Sequence, residues 1–278
     1  MGVSDNGNHH HHPGDSRDTP QTVDALRAAL ARSQQQVADL TASQEEFLRA
    51  VSHDLRAPLR HVTSYGTLVR EVLGDLSADV LQTGEVQEAL GFLATMDQSA
   101  RRMGLMLDGL LALVRASRAP LQPEPVALAT AVSQACAALA PVPAGHAVQW
   151  QVPADLPVVW ADPAWLRELL VQLLGNAVKF SARSAPPCVT VALDAAPPGA
   201  VALTVRDNGV GFDGARAGTL FGVFQRLHRE NEFEGVGTGL ALCRTIAERH
   251  GGSVTVTAVP GAGCTVRVQW PAGPLPHG

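Results

Sequence analysis

The chain of 278 residues has few lysines, few aromatic residues and no long apolar run. Lys179 is the single lysine among 21 basic residues, and the net charge is −5. This charge gives no reason to expect nucleic acid or an anionic membrane surface as a partner. No apolar run approaches the length of about 18 residues that a membrane span needs, and Met1 to Asp18 lack the hydrophobic core of a signal peptide. We therefore expect no nucleic-acid partner and no membrane segment in this chain.

Cysteine pairs are also lacking. Cys136, Cys188, Cys243 and Cys264 are scattered without the spacing of a disulfide framework or a zinc site. We therefore expect free thiols and a cytoplasmic protein. An apolar share of 46% is enough to build hydrophobic cores, although aromatic residues make up only 4%, and the length leaves room for two domains.

The N-terminal part of the chain divides into a tail and a helical region. Residues 1–20 are polar and rich in glycine, so we expect a disordered tail, and we assign no function to its run of four histidines. Residues 21–118 carry helical periodicity. The first stripe advances by alternating steps of four and three, which is a heptad seam and predicts a coiled coil. Its members are Leu26, Leu30, Ser33, Val37, Leu40, Gln44, Phe47 and Val51.

A second apolar stripe follows a loop predicted at residues 74–84. Its members are Leu93, Met96, Ala100, Met103, Leu107, Leu110 and Val114. Two such helices form a hairpin that cannot bury its own stripe, and two hairpins together make a dimeric four-helix bundle. An ordinary helical bundle would explain the stripes equally well, but it would not explain His53, which this register places on the outward face.

The C-terminal part alternates between helices and strands. Residues 119–125 contain three prolines and read as a linker, residues 126–271 as a second domain, and residues 272–278 as a tail. We predict helices at 128–139, 163–180 and 240–250, and strands at 189–193, 201–206, 253–258 and 265–270. Helices combined with antiparallel strands in one module indicate an α/β sandwich.

The segment Ser52-His53-Asp54-Leu55-Arg56-Ala57-Pro58-Leu59 places an imidazole beside a carboxylate. Transfer of a phosphoryl group to imidazole needs an unprotonated ring nitrogen, and an adjacent carboxylate can take the proton and fix the tautomer. Asp54 fits that role. Pro58 lacks an N–H for the helix and should bend it near His53. An isolated exposed histidine is usually an inert surface residue, so the prediction of a reactive histidine rests on the whole segment.

The segment Gly175-Asn176-Ala177-Val178-Lys179-Phe180 lies in a predicted helix. Asn176 and Lys179 are three residues apart and share a face. An amide oxygen can coordinate Mg²⁺ without adding charge, and a lysine supplies a point charge to phosphates. A solvated helix face is the alternative for either residue alone.

Two glycine-rich segments complete a predicted nucleotide site. Asp207 ends a strand and precedes Gly209 and Gly211, so its carboxylate can accept from an adenine amino group while the glycines allow close approach, although such a segment is more often a plain turn. The second segment runs directly into a helix, whose N–H groups can hold phosphates. Its residues are Gly235, Val236, Gly237, Thr238, Gly239 and Leu240.

Residues 213–234 between these segments should form a mobile lid over the nucleotide. Phe221 and Phe224 can pack the closed lid, and Arg226 can reach phosphate. A local apolar cluster is the alternative for the phenylalanines, and for Arg226 a plain surface role is an equal alternative.

Taken in order, these four segments resemble the catalytic core of sensor histidine kinases over nearly the whole stretch from Gln21 to Trp270. The resemblance implies a GHKL-type ATP-binding fold, ATP and Mg²⁺ as cofactors, His53 as phosphoacceptor and Asp54 as its base. It also implies a homodimer, a separate response-regulator receiver domain as partner, and input from an upstream sensor domain or partner. The family usually has asparagine where Gln172 stands.

Two other functions stay open at this point. One is a GHKL-type ATPase of the chaperone or topoisomerase kind, and the other is a degenerate scaffold that binds nucleotide without transferring phosphate. The segment around His53 argues against the first, and the intact site residues argue against the second. The family's phosphatases also use Thr or Asn four residues after the histidine, where this chain has Ala57, so we expect weak phosphatase activity.

Overall fold

The computed structural model describes residues 2, 19–139, 147–229 and 232–273. Contacts divide the chain into two compact units, residues 1–51 and residues 52–278. Within the part that the structure describes, no helix combines the length and apolar composition that crossing a membrane requires. The predicted domain division at the linker stays a prediction, and the four histidines of the tail lie outside the described residues.

Three helices form the N-terminal half of the chain. They are α1 (Thr19–Gly74), α2 (Ala78–Leu81) and α3 (Gly84–Arg118). Five large side chains of the predicted seam are between 60% and 65% exposed, namely Leu26, Leu30, Val37, Leu40 and Phe47. Pro58 lies inside α1, which continues as one helix through it.

The C-terminal half is a mixed α/β domain. Its elements are β1 (Glu124–Ala127), α4 (Leu128–Ala138), β2 (Gln149–Gln151), β3 (Val158–Ala161), α5 (Pro163–Ser181), β4 (Cys188–Asp194), β5 (Ala200–Asp207), a 3-10 helix (Gly214–Phe221), α6 (Gly239–Arg249), β6 (Ser253–Ala258) and β7 (Cys264–Pro271). The main sheet has five strands in the order β2-β4-β5-β7-β6, and β1 and β3 form a separate pair.

The core of this domain lies between the helices and the main sheet. Asp162 starts α5 by accepting hydrogen bonds from the backbone N–H groups of Ala164 and Trp165, and Pro163 occupies the first turn, where its missing N–H costs nothing. Helix α5 buries an apolar stripe against β4 and β5, because its leucines recur at helical spacing. The buried leucines are Leu166, Leu169, Leu170, Leu173 and Leu174.

Several predicted boundaries are wrong by a few residues. Thr19 and Pro20 are helical, so the predicted disorder of residues 1–20 fails at its end, and the predicted loop at 74–84 contains the short helix α2. The last two residues of the predicted linker belong to β1. Strands β1, β2 and β3 were not predicted, and β2 pairs with β4 in parallel. These strands have only three or four residues, too few for an alternating pattern to stand out.

Candidate active site

A cavity of about 530 Å³ lies within residues 52–278, a volume in the range of pockets for nucleotide-sized ligands. Helix α5, the glycine-rich segment before α6, the predicted lid and the end of β5 surround it. The C-terminal part of α3 forms a further wall, through Leu105, Asp108, Gly109, Ala112 and Arg115. This wall was not predicted from the sequence, because it depends on contacts between segments far apart in the chain.

Helix α5 presents a row of polar side chains to the cavity. Glu168, Gln172, Asn176 and Lys179 all line it, since residues three and four apart share a helix face. The Gln172 Nε2 donates a hydrogen bond of 2.9 Å to the Glu168 Oε1. Glu168 was missed by sequence reasoning, although its spacing of four from Gln172 and eight from Asn176 was a usable signal.

Lys179 sits in a partly desolvated position at the cavity. The pKa of Lys179 is lowered from 10.5 to about 8, chiefly by burial and in smaller part by the charge of Arg226, while the charge of Glu234 acts in the opposite direction. The Lys179 Nζ also lies 4.2 Å from the centroid of the Phe180 ring. The charged form of a lysine in such a position is stabilised when an anionic ligand binds, because the ligand offsets the cost of burying the charge.

Asp207 closes the cavity at the end of β5. Its carboxylate is buried, and Oδ1 accepts hydrogen bonds from the N–H of Gly209 at 2.8 Å and from the N–H of Cys264 at 3.3 Å. Burial raises the pKa of Asp207, and these backbone hydrogen bonds act in the opposite direction. The carboxylate is therefore fixed in orientation before any ligand arrives.

Two glycines are required by the backbone geometry around the cavity. Gly211 has φ +59°, and a Cβ there would lie 2.0 Å from the carbonyl oxygen of Val259. Gly237 has φ +77°, and a Cβ there would lie 2.6 Å from the carbonyl oxygen of Gln225. Both residues need a conformation that favours glycine and a space that excludes any side chain.

Helix α6 begins at Gly239, directly after Thr238. Gly235, Gly237, Thr238, Gly239 and Leu240 line the cavity, so the N-terminus of α6 borders it. A Cβ on Gly109 of α3 would lie 2.5 Å from the Thr238 Oγ1, which shows how closely α3 approaches this segment.

The predicted lid is partly ordered, since it contains the 3-10 helix Gly214–Phe221. The Arg226 Nη2 donates to the carbonyl oxygen of Phe233 at 2.6 Å, and both residues line the cavity. Phe221 packs against the hydrophobic core, whereas Phe224 is 40% exposed. His228 and the rings of Phe180 and Phe233 form a further cluster that the sequence did not indicate, with ring centroids between 5.0 and 5.5 Å apart.

His53 and Asp54 do not line the cavity. Their side chains are 86% and 82% exposed, and the His53 Nδ1 lies 3.2 Å from the Asp54 Oδ1. One turn further on, the Arg56 Nη2 donates to the Asp108 Oδ1 at 2.5 Å, and Asp108 is part of the cavity wall. An ion pair thus connects the histidine-bearing stretch of α1 to α3.

The structure therefore brings most predicted site residues together and leaves three outside the cavity lining. Those that line the cavity are Asn176, Lys179, Asp207, Gly211, Arg226, Gly235, Gly237, Thr238, Gly239 and Leu240. Gly209 supports Asp207 from beside the cavity, and His53 and Asp54 lie apart from it. Across the described residues, no group of three or more His, Cys, Asp or Glu side chains could hold a metal ion by itself. The cavity does offer the side-chain amides of Gln172 and Asn176 and the carboxylates of Glu168 and Asp207.

Residues 161–274 match the family model of histidine kinase-, DNA gyrase B-, and HSP90-like ATPases. This match covers α5, the cavity-lining segments that follow it in the chain and the strands from β4 onward. It begins at the last residue of β3 and does not include α1 or α3, so it concerns the nucleotide site rather than His53.

Three relatives extend the likeness over the rest of the chain. The circadian input-output histidine kinase CikA of Synechococcus elongatus is 30% identical over 91% of this chain and 32% of its own length. The adaptive-response sensory kinase SasA of the same species is 29% identical over 91% of this chain and 66% of its own length. The crystal structure of full-length ShkA in complex with AMPPNP is 26% identical, has a TM-score of 0.58, and is matched over 83% of this chain and 47% of that one.

These relatives are longer than this chain, which spans less than two thirds of each. The matched region nevertheless includes both the helical segment and the cavity domain. On this evidence residues 161–274 form an ATP-binding domain of the family of histidine kinase-, DNA gyrase B-, and HSP90-like ATPases, and the chain as a whole is similar to the catalytic cores of sensor histidine kinases.

Proposed function

We propose that this chain is an ATP-dependent protein-histidine kinase of a two-component system, which transfers the γ-phosphoryl group of ATP to His53. The observation that carries the proposal is the pairing of a cavity onto which Asn176, Lys179 and Asp207 converge with an exposed histidine that contacts a carboxylate. The relatives named as kinases support this choice over a general ATPase, and the ShkA structure with AMPPNP supports ATP as the nucleotide.

The nucleotide would be held at its two ends by different groups. Asp207, oriented by two backbone N–H groups on Oδ1, would accept from the adenine amino group. Lys179, Arg226 and the N-terminus of α6 would meet the phosphates, because cations and free helix N–H groups favour anions. The glycines at 211 and 237 would keep the backbone around the nucleotide in its close-packed turns, which a side chain at either position would disrupt.

Magnesium fits the amide-rich wall of the cavity. Mg²⁺ is commonly bound by one or two protein oxygens together with phosphate oxygens, and it retains several waters. The amide of Asn176 would provide a protein oxygen. Bound there, the ion would supply neutralising charge for the phosphates.

His53 would act as the nucleophile through its Nε2. The Asp54 carboxylate beside Nδ1 favours the tautomer with the proton on Nδ1, which leaves the Nε2 lone pair free. A bond forms between Nε2 and the γ-phosphorus while the bond to the bridging oxygen breaks, and ADP leaves. The phosphoryl group would then pass to an aspartate of a separate response-regulator receiver domain.

The assembly we propose is a homodimer. The exposed seam of α1 between Leu26 and Phe47 is what a coiled coil would bury, and the stripe of α3 would complete a dimeric four-helix bundle. Input would come from an upstream sensor domain or partner, and the free cysteines fit a cytoplasmic location.

Labelling with γ-labelled ATP and Mg²⁺ tests this proposal. The wild-type chain should acquire an acid-labile, base-stable label, as expected of phosphohistidine, and His53→Ala should acquire none. His61→Ala is a matched control, because His61 is another exposed histidine on α1, and it should label normally. ATP hydrolysis without label would instead support the GHKL-type ATPase, and nucleotide binding without either reaction would support the degenerate scaffold.

A further inference from the structure

We infer that Glu168 is a positioning residue, which orients the side-chain amide of Gln172 so that its oxygen serves the metal-nucleotide site. The inference rests on the proposed function and deepens it, since it assigns a role to a residue that touches neither His53 nor Asp207. Glu168, Gln172 and Asn176 stand four residues apart on α5, and all three line the cavity.

The chemistry of the pair fixes which way the amide of Gln172 points. An ionised carboxylate is an acceptor only, so the group that faces Glu168 must be the amide NH₂. The distance of 2.9 Å between the Gln172 Nε2 and the Glu168 Oε1 agrees with this. The Gln172 Oε1 is consequently directed away from Glu168.

That oxygen faces the start of α6. A Cβ placed on Gly239 would lie 2.7 Å from the Gln172 Oε1 and 3.6 Å from the Asn176 Nδ2. Beside the glycine-rich segment where the phosphates are expected, Gln172 therefore presents its amide oxygen, whereas Asn176 presents its NH₂ group to the same place. Rotation of the Gln172 amide by half a turn would present an NH₂ group there, which cannot bind a cation.

Glu168 thus lets a glutamine take the position of a second amide ligand. A glutamine has one more rotatable bond than an asparagine, so without a fixed partner it populates several orientations. The hydrogen bond to Glu168 removes that freedom. Partners of this kind, one step removed from a metal, typically change its affinity by about 10- to 100-fold.

The test measures the dissociation constant of a fluorescent ATP analogue with Mg²⁺ and with EDTA, so that the ratio of the two constants reports the contribution of the metal. Glu168→Ala should reduce this ratio by about tenfold, while affinity in EDTA stays within about twofold. Glu168→Gln, which keeps an acceptor, should recover most of the loss. Glu248→Ala removes an exposed acid from α6 and should leave the ratio unchanged.

A double-mutant cycle separates positioning from direct contact with the metal. Once Gln172 is replaced by Ala, Glu168→Ala should cause no further loss, because Glu168 acts through that amide. An equal loss in both backgrounds, or no loss in the wild-type background, would overturn the inference. A wild-type chain that binds the analogue without any dependence on Mg²⁺ would overturn both the inference and the proposed metal site, which distinguishes the two failures.

Discussion

The histidine-bearing part of α1 and the cavity beside α5 differ in how much of their geometry the fold sets in advance. The side chains of His53 and Asp54 are 86% and 82% exposed and contact each other at 3.2 Å. Asp207, in contrast, is 5% exposed, and two backbone N–H groups hold its carboxylate. The side chains of the first region are open to solvent, and the carboxylate of the second is held in one orientation.

This difference agrees with the two tasks that we propose. A phosphoacceptor has to meet the nucleotide and then a receiver domain, so burying it would block one of the two reactions. A nucleotide site works best when its polar groups are oriented beforehand, because no free energy is then spent on ordering them at binding. Substitutions in the cavity should therefore change nucleotide affinity, and substitutions at the histidine should change transfer alone.

The largest effect in the cavity is expected at Asn176. Asn176→Ala should reduce labelling of the protein by about 100-fold or more, since it removes the amide that we propose as the Mg²⁺ ligand, whereas Gln172→Ala should cost about tenfold. Labelling assays at matched ATP concentrations, with light scattering to verify an unchanged oligomeric state, measure both. Equal losses at the two positions would mean that the two amides contribute alike.

A smaller loss is expected at Asp207. Asp207→Ala removes an acceptor from the N–H groups of Gly209 and Cys264 and from the base, so nucleotide affinity should fall roughly 10- to 100-fold. Asp207→Asn keeps an acceptor oxygen and should lose less. Binding of adenine and guanine nucleotides should be compared by titration. Unchanged preference for adenine in Asp207→Ala would contradict a role for this carboxylate in base recognition.

The pH dependence of binding sharpens the comparison further. Because the pKa of Lys179 is lowered to about 8, its charge is lost within an accessible range, and affinity for ATP should fall several-fold as the pH rises from 7 to 9.5. The stability of the ligand-free protein should move the other way. The folded chain holds fewer protons than the unfolded one between pH 8 and 10.5, so stability rises with pH in that window.

Lys179→Met provides the control for the pH dependence of ATP binding. It should bind ATP more weakly at pH 7 and lose the fall in affinity between pH 7 and 9.5. If the variant retains the wild-type pH profile, a group other than Lys179 is responsible.

The smallest effect is expected in the histidine-bearing part of α1, at Ala57, four residues after His53. The wild-type chain should accelerate decay of a phosphorylated response regulator weakly or not at all, because a methyl group cannot orient water by hydrogen bonding. Ala57→Thr should gain modest activity. Strong acceleration by the wild-type chain, undiminished in His53→Ala, would contradict the expectation and direct attention to Arg56 or His61.

The sequence predicted best those features of the two regions that depend on residues close together in the chain. The predicted bounds of β6 match the structure, and those of α5 differ from it by one residue, since capping residues, apolar periodicity and flanking glycines act over short distances. The lining of the cavity by Asn176, Lys179 and Asp207 also followed from short segments. Local patterns thus predicted one side of the site.

The wall of the cavity formed by α3 depends on contacts between residues far apart in the sequence, which no local pattern indicates. Asp108 and Gly109 line the cavity only because α3 approaches Thr238, more than a hundred residues away in the sequence. Glu168 is an intermediate case, because its spacing from Gln172 and Asn176 was a local signal, whereas its hydrogen bond to Gln172 was not predictable from the sequence. The short strands β1 to β3 were not predicted for a related reason: they are defined by their pairing with other strands rather than by a pattern in their own residues.

The separation of the two regions is tested most directly by measuring ATP affinity and protein labelling together in His53→Ala. Since His53 does not line the cavity, the account predicts a dissociation constant for ATP and Mg²⁺ within about twofold of the wild-type value, together with complete loss of the acid-labile label. A label that persists in His53→Ala, or an affinity for ATP that collapses with it, would contradict the account.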